Sequence, residues 1–156
     1  MGKQLLSTEV IRQRMADYCS KSEHCKSEVI KKMQAFTLTR EETESILHFL
    51  ESEGYINEFR YAKAFANDKI RFDRWGKLKI RYALLQKKIG ESAIDAALND
   101  IDEDTYLQIL SDELKKKMKT LPRTLTEFEK KQKLFRFGYQ RGFEPHHLEQ
   151  VIAKLF

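Results

Sequence analysis

The chain has 156 residues, 41% hydrophobic and 34% charged, with 29 Lys/Arg against 24 Asp/Glu and a net charge of +5. That apolar share suffices for a core, while 6 Gly and 2 Pro are too few for a many-turned β fold and point to long helices. No apolar run reaches the ~18 residues that span a bilayer, and the start Met1-Gly-Lys-Gln-Leu-Leu-Ser lacks the apolar stretch of a signal peptide. A glycine after the initiator methionine is common, so Gly2 is not taken as a lipid site. A cytoplasmic, monomeric protein with no membrane contact is expected.

In chain order, the first helix is expected from about Thr8 to Ser20. Cys19 and Cys25, with His24 beside the second, lack the second ligand pair of a structural zinc site and read as two reduced thiols. No metal and no cofactor is expected. Val29 and Met33 mark a second helix. Thr39, with Glu42 three residues on, forms a capping box for the third. Gly54 ends that helix and Asn57 caps the next, which is expected to reach Phe72 with Ala62, Phe65 and Phe72 on one side.

A helix through Ile80 and Leu84 and another through Ile94 and Leu98 follow. A long helix from about Asp104 to Thr120 carries Leu107, Leu110, Leu114 and Met118 on one side. Leu121-Pro122 breaks it. Thr126 and Glu129 open the eighth helix, and Pro145 suits the first position of the ninth.

These elements repeat. Shifting Ile80, Leu84, Ile89, Ile94 and Leu98 back by 51 residues meets Val29, Met33, Leu38, Thr43 and Leu47; shifting forward by 54 meets Leu134, Gly138, Phe143, Leu148 and Ile152. The turn between the paired helices recurs at Thr39, at Gly90 and, in the third copy, at the position just before Pro145. The expectation is an all-α chain of three tandem three-helix units, residues 1–56, 57–101 and 102–156, in an elongated, curved array.

Charge is uneven along the units. Residues 1–56 hold 8 Lys/Arg and 9 Asp/Glu, residues 57–100 hold 10 and 6, and residues 101–156 hold 11 and 9. Between Lys69 and Lys88 eight cations face one acid, Asp73, and between Lys115 and Arg141 ten face Glu127 and Glu129. Such imbalance makes a local positive field rather than a self-neutralised face, and it attracts phosphate or carboxylate. The candidate polyanion-binding residues are Arg60, Lys69, Arg71, Arg74, Lys77, Lys79, Arg81, Lys87, Lys88, Lys130, Lys131, Lys133, Arg136 and Arg141. Trp75, Tyr61 and Phe65 read as packing residues before stacking platforms.

No P-loop, nucleophile elbow or zincin motif occurs. His146 and His147 have no evident carboxylate to orient them, and Asp102-Glu103-Asp104 sit where a helix dipole favours acids. A binding protein is expected, with no catalytic residue.

The run Gly54-Tyr-Ile-Asn-Glu-Phe-Arg-Tyr-Ala-Lys-Ala-Phe65, then Trp75-Gly76, then Ile80, Leu84, Lys87 and Ile89, resembles the RecX family. One position departs: Lys88 stands where the family has a glycine suited to a left-handed helix end, whereas Gly142 keeps it in the third unit. The resemblance implies a cytosolic regulator of recombination and the DNA-damage (SOS) response. Its implied partner is the RecA filament on single-stranded DNA, with the DNA phosphates as an accessory contact. Its implied effect is inhibition of the filament's ATPase, strand exchange and co-protease activity. The alternative reading is a helix-turn-helix protein that binds DNA directly through the Gly76–Lys88 helix, although only Gln86 there suits base reading.

Overall fold

The computed structural model describes residues 6–156; the Met1-Gly2 start lies outside them. Among the described residues the chain is all-helical: α1 (Thr8–Lys21), α2 (Lys26–Met33), α3 (Arg40–Ser52), α4 (Glu58–Asp68), α5 (Lys77–Gln86), α6 (Glu91–Asn99), α7 (Glu103–Lys119), α8 (Glu127–Gln140) and α9 (Pro145–Ala153). A π-helical turn, Lys69–Asp73, continues α4.

Local chemistry sets the boundaries. Ser7, Thr39, Asn57, Asp102 and Thr126 each accept a backbone N–H in the first turn of the helix they open, and each such cap is worth about 1 kcal/mol. Thr39–Glu42 and Thr126–Glu129 close full capping boxes, as the sequence predicts. Gly90 caps α6, and Pro145 is the first residue of α9.

α1, α2 and α3 pack on one another around Ile11, Met15, Val29, Met33, Ile46 and Leu50. The remaining helices share one larger core, which runs from Ala62 and Ile80 through Tyr106 and Leu110 to Leu134, Phe143 and Leu148. The second and third units are therefore one packed body. Cys25, at the start of α2, is the residue of the first unit that joins this larger core.

The repeat is visible in burial. Ile80, Val29 and Leu134 are all buried, as are Leu98, Leu47 and Ile152. Thr43, at the place of Ile94, is only half-buried, and its hydroxyl donates to the Thr39 carbonyl. In the first unit the apolar stripe moves one turn toward the C-terminus of a longer helix and uses Leu50.

Phe72 is a correction. It was expected on the buried side with Ala62 and Phe65, but it is 74% exposed. A π-helical turn inserts one extra residue into the helical ladder, which rotates the side chains after Lys69 out of the α4 register. Ile70 is buried there instead.

Candidate polyanion interface

The site forms where the third unit docks on α5. Gly76 donates its N–H to the Arg141 carbonyl at 2.7 Å, and Leu78 to the Gly142 carbonyl at 2.9 Å. The N–H between them, on Lys77, reaches the Tyr106 hydroxyl at 2.9 Å. Three of the donors that a helix start leaves unpaired are thus met by the neighbouring unit. The approach is backbone on backbone: a Cβ on Gly76 would lie 2.2 Å from the Gly142 carbonyl carbon, and one on Gly142 would lie 2.4 Å from the Lys79 Cβ. Gly142 also sits at φ +97°, in the left-handed region.

Behind this contact, Tyr106 is fully buried and donates its hydroxyl to the Glu144 carboxylate. Burial, reinforced by that carboxylate, pushes the Tyr106 phenol far up. His147 is buried beside them, its Nε2 3.6 Å from Glu144 Oε2 and 4.0 Å from Glu103 Oε1. Sequence alone does not bring these two nearby carboxylates to His147, because Glu103 is remote in the chain and Glu144 is turned inward by the hydroxyl of Tyr106, also remote in the chain. Burial holds His147 below the usual histidine range. Glu144, His146 and His147 bring potential ligand atoms within 4.8 Å of one another. The Tyr106 bond occupies one Glu144 oxygen, His146 is exposed, and the positive end of α9 disfavours a cation, so the group is not taken as a metal site.

In front of the contact lies a cluster of cations on aromatic rings. Lys69 and Lys79 stand over the Trp75 ring at 4.6 and 4.5 Å from its centroid. Across the Gly142 contact, Arg141 and Lys117 stand over Phe137 at 4.8 and 5.5 Å. Arg74, itself left-handed at φ 58°, sets its Nε 3.8 Å from Glu113, one turn before Lys117 on α7. Five cations meet two carboxylates here, Asp73 on Lys69 and the buried Glu113. The rings hold the ammonium groups in place and leave their charge largely unneutralised. Such a surface suits phosphate or carboxylate.

The predicted residues divide accordingly. Lys69, Arg74, Lys79 and Arg141 come together. Lys77 lies just behind, over the Tyr106 ring at 4.9 Å. Arg71 is exposed beside Phe72. On α8, Lys133 and Arg136 are exposed and Lys130 half-buried, with no carboxylate in ion-pair reach among the described residues, while Lys131 pairs with Glu127 at 3.0 Å.

Three candidates are used internally. Arg81 pairs with Asp95 at 2.5 Å. Lys87 pairs with Glu28 at 3.0 Å. Arg60 pairs with Glu23 and donates to the Gly54 carbonyl at 2.9 Å. Lys88 is exposed at φ +64°, so it adopts the left-handed state that its family glycine would hold without strain. It rims a groove of about 490 Å³ between the first and second units, together with Cys25, Ile30, Glu51, Ile56 and Ile89. Lys117 was absent from the candidates; within Lys115–Lys119 only its packing on Phe137 distinguishes it, and that is a tertiary fact.

Comparison with known proteins gives a consistent picture. Residues 57–98 match the model of the RecX second three-helix domain, and residues 104–152 that of the RecX third three-helix domain. The chain is 30% identical over 135 residues to the regulatory protein RecX of Chlorobium phaeobacteroides (strain BS1), covering 86% of this chain and 85% of that one. It is 28% identical to the regulatory protein RecX of Clostridium tetani over 88% of this chain, but spans only 63% of that relative's length. A crystal structure of a regulatory protein RecX superposes with a TM-score of 0.83 at 28% identity, covering 92% of this chain and 72% of the other. RecX from Lactobacillus salivarius superposes at 0.81 over 95% and 96% of the two chains; at 17% identity that likeness speaks for the fold alone.

Proposed function

Because the chain belongs to the RecX family of regulatory proteins, we propose that it binds the filament RecA forms on single-stranded DNA and inhibits its ATPase, strand-exchange and co-protease activities. The observation that carries this reading is the cluster of Lys69, Arg74, Lys79, Lys117 and Arg141 on Trp75 and Phe137, five cations against two carboxylates. It straddles two units that share one core, so its charges keep fixed spacing and can meet a periodic polyanion in register. A protein that bridges neighbouring subunits of the filament restrains the motion that ATP turnover requires. It would act in the cytoplasm, as a monomer, in recombination, repair and the SOS response.

The test is RecA's DNA-dependent ATPase with increasing amounts of the protein. Inhibition at low micromolar concentration is expected, and it weakens in Lys117→Glu/Arg141→Glu. Undiminished turnover with the wild-type protein overturns the reading.

The rival, direct duplex reading by α5, needs the first turn of that helix at the base edges. Here the Gly76, Lys77 and Leu78 N–H groups are bound to the third unit, which favours the filament reading.

A further inference from the structure

The outward face of α5 carries a feature that a phosphate-binding surface has no use for. Leu78, Tyr82 and Leu85 are 42%, 66% and 43% exposed. Spaced i, i+4 and i+7, they line one stripe, opposite the buried Ile80 and Leu84. α5 is therefore apolar on two sides, with Lys79 on one edge of the outer stripe and Arg81 on the other.

The repeat supplies an internal control. The same positions in the first unit are Ser27, Lys31 and Gln34, and in the third Gln132, Arg136 and Tyr139. Five of those six are polar, and all but the half-buried Ser27 are exposed. The three-helix unit thus folds with polar residues there, and the second unit's apolar choice answers to something outside the fold.

We infer that the Leu78–Tyr82–Leu85 stripe is a protein-docking surface, and that its partner presents an apolar groove bordered by carboxylates. The two leucines neither stack on bases nor bond phosphates, and a nucleic acid that used the Tyr82 ring alone would leave the rest of the stripe uncovered, so a protein is the occupant. Arg81, on one edge of the stripe, is already paired with Asp95, whereas Lys79 on the other edge has no carboxylate in ion-pair reach among the described residues, which calls for a carboxylate at the partner's rim on that side. A second copy of this chain would set the same cations against each other across a two-fold axis. The inference rests on the filament reading: it assigns the apolar stripe of α5 to the recombinase subunits, with Lys79 at the border between that stripe and the Trp75–Phe137 cluster that meets the polyanion.

The experiment compares wild type with Leu78→Gln/Tyr82→Gln/Leu85→Gln, using co-sedimentation with RecA filaments and fluorescence anisotropy of labelled single-stranded DNA without RecA. Expected is a loss of filament affinity of about tenfold or more, with affinity for DNA alone unchanged. Tyr82→Gln alone, at the most exposed position, serves if the triple variant fails to fold. Equal sedimentation of variant and wild type overturns the inference while the filament reading stands. Failure of the wild type itself to sediment removes that reading and the inference with it. A concentration-dependent dimer that the triple variant abolishes overturns it in favour of a second copy.

Discussion

The two junctions between units use the same pieces with opposite results. In each, the turn after a unit's middle helix meets the start of the preceding unit's middle helix. Arg141 and Gly142 do this to Gly76, Leu78 and Lys79; one repeat earlier, Lys87 does it to Ser27 and Glu28. At the later junction glycine lets two backbones touch, and N–H groups bond carbonyls directly. At the earlier one Lys88 replaces that glycine. Contact passes instead through side chains, the Ser27 hydroxyl to the Lys87 carbonyl at 2.8 Å and Lys87 to Glu28 at 3.0 Å, and the groove remains open beside them. Glycine at this turn accompanies a fused core, and lysine a bridged gap.

Gly142→Ala is the harshest way to break this contrast. A Cβ there collides with Lys79 and strains a φ of +97°, so a loss of about 3 kcal/mol is expected, read by urea denaturation. Filament binding should fall with it as the two halves of the cation cluster part.

Lys88→Gly tests the other side. Relief of the left-handed lysine should add about 1 kcal/mol of stability, and the turn should settle closer to α2, with slower hydrogen exchange at Ser27 and Glu28. Destabilisation would mean that the ammonium, not the strain, governs this turn.

The smallest effect is a pH dependence of the later junction. Burial lowers the His147 pKa in the folded state, so the unfolded chain binds a proton more readily. The contribution is fully present above the unfolded value near 6.5 and is lost as pH falls through the lower folded value. Thermal stability should drop below about pH 6.5 more steeply in wild type than in His147→Gln. Identical profiles would exclude His147 as the cause.

Much of this was legible in the chain. Caps at Thr39, Asn57, Gly90 and Thr126 are local chemistry, and a run of four to eight residues suffices to read them. The two basic stretches were equally plain. The interface drawn from them was not, because charge counts carry no partners: Arg60, Arg81 and Lys87 find Glu23, Asp95 and Glu28 only once the helices pack. Lys117 joins only because Phe137 lies beneath it. Phe72 was misplaced because one extra residue in a helical turn leaves no periodic signature. The outer stripe of α5 escaped notice because two apolar faces on one short helix blur into a single hydrophobic run.

The open groove beside Lys88 has a mechanical consequence. Side chains and the buried Cys25 hold the first unit to the second, whereas backbone bonds and a shared core hold the second to the third, so under denaturant the first interface should open before the second.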